Sequence, residues 1–320
     1  MYRPIRFVPD DTKIPFMRYS RAGFLGAMVA VLVSIGLFVA IGLNYGIDFE
    51  GGTLIEIRTE QPADLTELRS RLSGLGLGDF ELQEFGAPTD VLIRLKTASG
   101  GEEMQQQQIV EVRDALGDGI DYRRIEVVGP KVSGELTRDG VIAVLLSLIA
   151  VLIYIWFRFE WQFSVGTIIS LVHDVIVTIG VLTILRYEFS LASIAALLTI
   201  VGYSLNDTVV VFDRIRENLR KYKQMSISDL IDLSLNQTLP RTLMTSVSTL
   251  IALFSLYLFG GEVLRSFTFT MIFGIFIGTF SSIFISAPVL IYFGARIGQA
   301  ASPHKAEGEA ESHASPHPMP

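Results

Sequence analysis

The sequence predicts a polytopic α-helical membrane protein: six transmembrane helices in a one-plus-five layout, with an α+β domain inserted between the first and the second. Three observations carry that expectation. Half of the 320 residues are hydrophobic and the mean hydropathy is +0.45, above that of an ordinary soluble domain. Charge collects at 1–21, 48–139, 213–241 and the C-terminal tail and is sparse elsewhere. Six apolar runs are each long enough to cross ~30 Å of hydrocarbon at about 1.5 Å per residue.

The first run is AGFLGAMVAVLVSIGLFVAIGL, residues 22–43, preceded by a short basic segment at 1–21. It is too long for the apolar stretch of a signal peptide, and no A-x-A cleavage site follows it. The insert, 44–137, then changes period from element to element. GTLIEIRT (52–59) alternates as a strand. ADLTELRSRLSGLG (63–76) has helical spacing and ends in glycine. FELQEF (80–85) and DVLIRLK (90–96) read as strands with Gly86 and Pro88 in the turn between them. EEMQQQQIVEVRDALG (102–117) is a second helix and DYRRIEVVG (121–129) a last strand. The order β-α-β-β-α-β is the split βαβ, or ferredoxin-like, arrangement, which by itself names no function.

Five further runs, about 139–157, 162–185, 189–212, 240–259 and 266–293, make a bundle over 138–298. Their connectors are short, so neighbours are expected to be antiparallel. Lys and Arg set the orientation. Arg3, Arg6, Lys13, Arg18 and Arg21 lie before the first span, and Arg214, Arg216, Arg220, Lys221, Lys223 and Arg241 lie in 213–241, which reads as a loop. Six spans place both groups on one side, with Arg158, while the opposite connectors hold only Arg186 and Arg265. Both termini are therefore expected in the cytoplasm and the insert outside. The tail, 299–320, is rich in Pro, Ala and charge and is expected to be disordered. Its His304, His313 and His317 read as part of a solvated tail rather than a metal tract. The chain has no cysteine, which excludes disulfides, thiol catalysis and Cys-based metal sites. The net charge of −7 comes from the soluble parts and says little about partners.

Polar residues recur inside the spans. In the third, Gly166, Ser170, Asp174 and Thr178 repeat every fourth residue, with His173 beside them. In the fourth, Thr199, Gly202 or Tyr203, and Asn206 make a second stripe, with Asp207 adjacent and Tyr203 and Ser204 on its face. In the fifth, Arg241, Thr245 and Thr249 line one face, near Thr242, Ser246 and Ser248. Small residues and hydroxyls at such spacing are the ordinary means of close helix packing. A carboxylate is different. An ionised Asp at the centre of a membrane helix costs about 2.5–3.5 kcal/mol on insertion scales, and such residues mark ion and proton paths. Asp207 lies about 9 Å inside the charged end marked by Asp213 and Arg214. Arg241 follows Pro240, read as a helix start, so the two can lie at similar depth on neighbouring helices. Burial favours a neutral carboxyl and a nearby guanidinium a charged one, so a site with both can hold or release a proton. Asp174 is a second carboxylate at mid-depth, with His173 or a hydroxyl as its expected partner.

Four blocks give the chain a resemblance to a known family. NYGIDFEGGTLIEI (44–57) follows the first span, VGPKVSGEL (128–136) precedes the second, LLTIVGYSLNDTVVVFDRIREN (197–218) fills the fourth, and LSLNQTLPRTLMTS (233–246) opens the fifth. In content, order and spacing they resemble the SecF family, membrane partners of SecD in bacterial protein export. The resemblance implies a fold similar to the resistance-nodulation-division transporters, with a SecD-like chain supplying the other pseudo-symmetric half. It implies association with the SecYEG channel, the motor SecA and YajC, an unfolded translocating polypeptide as substrate, and no nucleic acid. It implies an inner-membrane location with the insert as a periplasmic domain, use of the proton-motive force, and protons as coupling ion with no cofactor. The family's proton-pathway Asp falls on Asp207 and its assisting Arg on Arg241, with Asn206 as hydrogen-bonding neighbour. Asp174, His173, Tyr203, Ser204 and Thr245 are candidate support, and Gly51 and Gly52 a hinge or tight turn.

Two other readings use the same residues. A half-size proton-coupled exporter of small molecules would share the fold, but a single insert of this size leaves little room for a drug cavity. An intramembrane aspartyl protease would use Asp174 and Asp207 as a dyad. Such proteases place the second Asp in a Gly-x-Gly-Asp context, whereas here Ser204-Leu205-Asn206 precede Asp207. No HExxH or Gly-x-Ser-x-Gly motif is present. The sequence therefore reads as a translocation subunit rather than an enzyme.

Overall fold

The computed structural model describes residue 9 and residues 12–96, 101–117 and 119–293. Arg3, Arg6, the tail and its three histidines lie outside the described residues. A 3-10 turn, Phe16–Tyr19, leads into α1 (Ser20–Ile41), which stops at Gly42, where φ is +71°. The insert follows as β1 (Asn44–Tyr45), α2 (Ile47–Glu50), β2 (Gly52–Thr59), α3 (Leu65–Ser73), β3 (Phe80–Phe85), β4 (Ala87–Leu95), α4 (Gly101–Leu116) and β5 (Ile120–Val128). The bundle is α5 (Pro130–Arg158), α6 (Trp161–Leu185), a short β6 (Glu188–Phe189), α7 (Leu191–Lys221), α8 (Ile227–Phe259) and a last span. That span runs from a turn at Glu262–Leu264 through α9 (Arg265–Ser281) and a π-helical segment, Ser282–Ser286, to α10 (Ala287–Tyr292). Among the described residues, six helices are thus long and apolar enough to cross a membrane.

α5, α7 and α8 outrun their apolar segments. α5 begins at Pro130, inside what the sequence assigned to the insert, because proline is well suited to a first helical turn. The largest difference concerns 213–241, expected as a loop. α7 stays helical to Lys221, α8 already starts at Ile227, and Pro240 lies inside α8 rather than at its start. The early turns of α8 are amphipathic and bury Leu230, Ile231 and Leu235. Each such side chain contributes about 1.5–3 kcal/mol on burial, enough together to offset the ~3 kcal/mol an interior proline costs. Pro88, expected in a turn, opens β4, and Gly86 alone makes the turn, with φ +86°.

In the insert, β3-β4-β2-β5 form one antiparallel sheet in that spatial order. β4 therefore lies between β2 and β3, the two strands joined by α3, which is the split βαβ topology. Asp64 caps α3, its carboxylate accepting from the Thr66 and Glu67 amides at 2.8 and 3.2 Å. Ile55, Ile57, Ile93 and Leu95 point to one face and pack on Leu68, Leu72, Val112 and Leu116 of the two helices. The intervening Leu54 and Leu92 point the other way and pack on Ile47 of α2. The root of the sheet is thus buried on both faces.

α6, α7 and the last span form the inside of the bundle, while α1, α5 and α8 are outer helices. Val39, Phe157 and Phe259 on those outer helices are 79, 85 and 86% exposed, a surface suited to hydrocarbon. The helices approach closely at small residues. A Cβ on Gly166 would come within 2.9 Å of the Ser286 carbonyl, and Gly274 lies against Ile200 with no room for one. One end of the bundle is tied by Met17 N–H donating to Asp232 (2.8 Å) and by Arg158 donating twice to Asp213 (2.8 and 3.0 Å). The insert sits at the other end.

Candidate functional site: two buried carboxylates

Asp174 and Asp207 lie on adjacent inner helices and are 0% and 2% exposed. Their surroundings differ. Asp174 Oδ2 accepts from Ser204 Oγ of α7 at 2.6 Å and from Ser281 Oγ of α9 at 2.8 Å. Its Oδ1 lies 3.0 Å from His173 Nδ1. Ser170 Oγ donates in turn to Ser281 Oγ at 2.8 Å, and Thr178 Oγ1 donates to the Asp174 backbone carbonyl at 2.7 Å. The stripe every fourth residue on α6 thus meets α7 and α9 in one polar cluster.

Asp207 has no such shell. Its Oδ2 is buried without a hydrogen-bond partner among the described residues, and so is Thr208 Oγ1 next to it. The nearby charge acting on it is the guanidinium of Arg241 on α8. No hydrogen bond joins the two among the described residues. A buried carboxylate with an unfilled oxygen beside one cation is a group that can accept a proton without first breaking a bond.

Several expected neighbours sit elsewhere. Asn206 is exposed on the outer face of α7, together with Thr199 and Gly202, and does not bond to Asp207. A helix turns about 100° per residue, so the residue next in sequence points away. Ser204 is spent on Asp174. Tyr203 reaches α8, its hydroxyl donating to Ser246 Oγ at 3.3 Å. Thr245 Oγ1 bonds back to the Arg241 and Thr242 carbonyls of its own helix. Asp174 is held by Ser204, Ser281 and His173, and among the described residues no hydrogen bond joins it to Asp207. Gly51 and Gly52 form a turn, with φ +73° and +124°, and a Cβ on Gly52 would collide with the Leu95 carbonyl. Among the described residues, no three His, Asp or Glu side chains gather as a metal site.

Ser281 was missed in the sequence. The signal was present in SSIFIS (281–286), where hydroxyls cluster just before Pro288 in an apolar run. The structure places a π-helical segment there, a feature often found at functional sites.

The exposed faces of α7 and α8 carry a further observation. Thr199, Gly202 and Asn206 of α7 and Arg241 and Ser248 of α8 are exposed, with Thr245 partly so. Polar groups and a guanidinium at this position in a membrane bundle call for cover other than lipid.

Comparison with known proteins gives a consistent picture. Residues 108–296 match the family model described as "Protein export membrane protein SecD/SecF, C-terminal", and residues 36–63 match the SecD/SecF GG motif. Protein translocase subunit SecF of Rickettsia bellii (strain OSU 85-389) is 44% identical over 295 residues, covering 91% of this chain and 96% of that protein. Protein translocase subunit SecDF of Brucella abortus biovar 1 is 43% identical over 293 residues, 91% of this chain but 39% of that one. The crystal structure of SecDF, a translocon-associated membrane protein, from Thermus thermophilus superposes with a TM-score of 0.81 at 35% identity over 91% of this chain. SecDF in its super-membrane-facing form gives 0.68 at the same identity. The chain spans 40% of the length of each solved SecDF chain.

Proposed function

The chain belongs to the SecD/SecF family of protein-export membrane proteins, and from that premise we propose that it is the SecF-like half of a translocation-assisting complex driven by the proton-motive force. The observation that carries the reading is the contrast at Asp207: a carboxylate buried in the bundle, with an oxygen left without a hydrogen-bond partner among the described residues and the Arg241 guanidinium within electrostatic reach. A group in that state can alternate between charged and neutral forms, and each form favours a different surrounding. One charge crossing 100 mV gains about 2.3 kcal/mol, enough to bias a two-state rearrangement near balance by roughly fiftyfold. Asp207 is then the proton-binding group and Arg241 its partner. Asp174 and His173 serve as a structural anchor beside the path rather than as part of it.

In this reading a SecD-like chain covers the exposed polar faces of α7 and α8. SecDF relatives that carry SecF-like and further sequence in one chain support such a neighbour. The complex sits in the bacterial inner membrane with both termini cytoplasmic. The insert is periplasmic, with the ferredoxin-like sheet facing an unfolded polypeptide that emerges from SecYEG after SecA has driven it. YajC is a further partner. The charge asymmetry between the two ends of the bundle supports this orientation.

Asp207→Asn tests the reading. The variant is expected to assemble with its SecD-like partner at wild-type levels and to lose the proton-motive-force-dependent part of export from inverted vesicles. Export that remains fully force-dependent in the variant would refute it.

A further inference from the structure

Where the insert meets the bundle, a small clasp joins residues far apart in the chain. β1, just after the first span, pairs in parallel with β6, in the connector before α7, matching Asn44 with Glu188 and Tyr45 with Phe189. Gly46 N–H continues the pairing to the Phe189 carbonyl at 2.9 Å. A Cβ on Gly46 would lie 2.6 Å from Glu188 Oε1, so a side chain there would displace the Glu188 carboxylate. The rings of Tyr45, Phe49 and Phe189 pack together, with centroids 5.7–6.2 Å apart.

Side chains lock the clasp from both sides. Arg94 of β4 is 12% exposed and pairs with Glu188 at 3.1 Å, while donating to the Tyr45 carbonyl at 3.1 Å. Asp48 of α2 accepts from the Leu191 amide, at the start of α7, at 2.9 Å. That amide is one of the four a helix start leaves open, and a carboxylate there also meets the positive end of the helix dipole. Arg186 donates to the Gly42 carbonyl at 2.8 Å, tying in the end of the first span. Ser193 and Ser266 both donate to the Glu188 carbonyl, at 3.2 and 2.9 Å, bringing in α7 and α9. A polar cavity of about 560 Å³ lies between the insert and the bundle, and the β3–β4 turn also reaches the bundle, Gly86 lying against Glu262. Beside the packing of α2 on α5, the polar ties of the insert's root thus converge on the N-terminal end of the helix that carries Asp207.

We propose that Asp48, Arg94 and Glu188 are positioning residues of a closed clasp that makes the insert ride on the N-terminal end of α7, so that movement of this helix is delivered to the insert. The proposal rests on the reading of Asp207 given above and adds the route by which a change there leaves the membrane. α7 is a continuous helix from Leu191 past Asp207, with no proline in it, so displacement at the carboxylate reaches Leu191 without a joint to absorb it.

The test uses the full chain assembled with its SecD-like partner. The protein has no cysteine, so an introduced pair reports unambiguously. In Tyr45→Cys/Phe189→Cys, oxidation closes the clasp covalently. Export is expected to match that of the same variant kept reduced, because the clasp is never required to open. Asp48→Leu and Glu188→Leu are expected to reduce export at least tenfold with assembly intact. Asp48→Asn, which keeps the accepting oxygen, and the exchanged pair Arg94→Glu/Glu188→Arg are expected to recover most of it. A second readout is independent of export. Spin labels at Gln106→Cys on α4 and Leu258→Cys on α8 should give a narrow distance distribution in the otherwise unaltered chain and a broad one with Glu188→Leu. Loss of export on oxidation would overturn the proposal. So would normal export from the leucine variants, or a distance distribution that stays narrow when the pair is broken. If the parent protein itself shows no force-dependent export, the function assigned above fails, while the distance measurement still decides the clasp.

Discussion

Asp174 and Asp207 are both fully buried in the membrane bundle, one on α6 and one on α7, yet they are different chemical objects. Asp174 receives two hydroxyl hydrogen bonds and a histidine contact and ties three helices together. Asp207 has a buried oxygen that receives nothing from the described residues. Burial alone therefore does not give two carboxylates the same chemistry. What separates the two is how much of the hydrogen-bonding capacity is already filled. A filled carboxylate resists change because proton uptake must displace its donors. An unfilled one responds to whatever comes near.

The comparison would break most visibly at Asp207 itself. Asp207→Asn should remove at least tenfold of force-dependent export while changing the unfolding midpoint in mild detergent very little, since no hydrogen bond is lost. A large fall in midpoint would make Asp207 a structural group like Asp174. Asp174→Ala should do the reverse. It strands the Ser204 hydroxyl and His173, at about 1–3 kcal/mol for each unpaired group, while Ser281 keeps Ser170 and the Gly278 carbonyl, and it should lower the yield of assembled protein before any transport defect is seen. Wild-type stability in that variant would mean the cluster is not an anchor.

Arg241→Met is expected to act on Asp207 and to leave Asp174 alone. The pH profile of export should be displaced, with no change in the thermal behaviour of the Asp174 cluster. An identical profile would remove Arg241 from the mechanism. Ser281→Ala sharpens the other side, since Asp174 keeps Ser204. The cost should be near 1 kcal/mol, measurable as a small drop in unfolding midpoint.

The smallest effect lies outside the membrane, where Asp90 of the insert is a filled carboxylate near solvent. Arg58 donates to it at 2.5 and 2.7 Å and holds its carboxyl below the usual aspartate range. The unfolded chain then binds the extra proton, so this contribution is present above about pH 4 and fades as pH falls through the lowered value. Amide exchange in β2 and β4 of the full protein should accelerate in acid, and Asp90→Asn should flatten that dependence. Unaltered acid sensitivity would assign it to other groups.

Much of the architecture was legible in the sequence because it depends on local period. Six apolar runs became six spans, and the alternation of GTLIEIRT gave β2 at Gly52–Thr59. The helix ends were less legible. Nothing local stops α7 at its charged segment, and α8 runs through Pro240 because early turns bury Leu230, Ile231 and Leu235 elsewhere in the fold. At the site, the sequence singled out Asp207 because a carboxylate in an apolar run is anomalous wherever it lands. It misjudged Asn206, since adjacency along a helix is not adjacency in space.

What the sequence determined by itself was the set of groups that must be buried: composition and period place Asp174 and Asp207 inside spans whatever the packing. Which of them is filled was decided only by tertiary structure. The donors to Asp174 come from residues 30 and 107 positions away, and the clasp at Glu188 pairs with a strand laid down 144 residues earlier. Such contacts depend on the rotation and depth of each helix against its neighbours. Those are set by close packing at residues such as Gly166 and Gly274, and no periodicity within one segment records them.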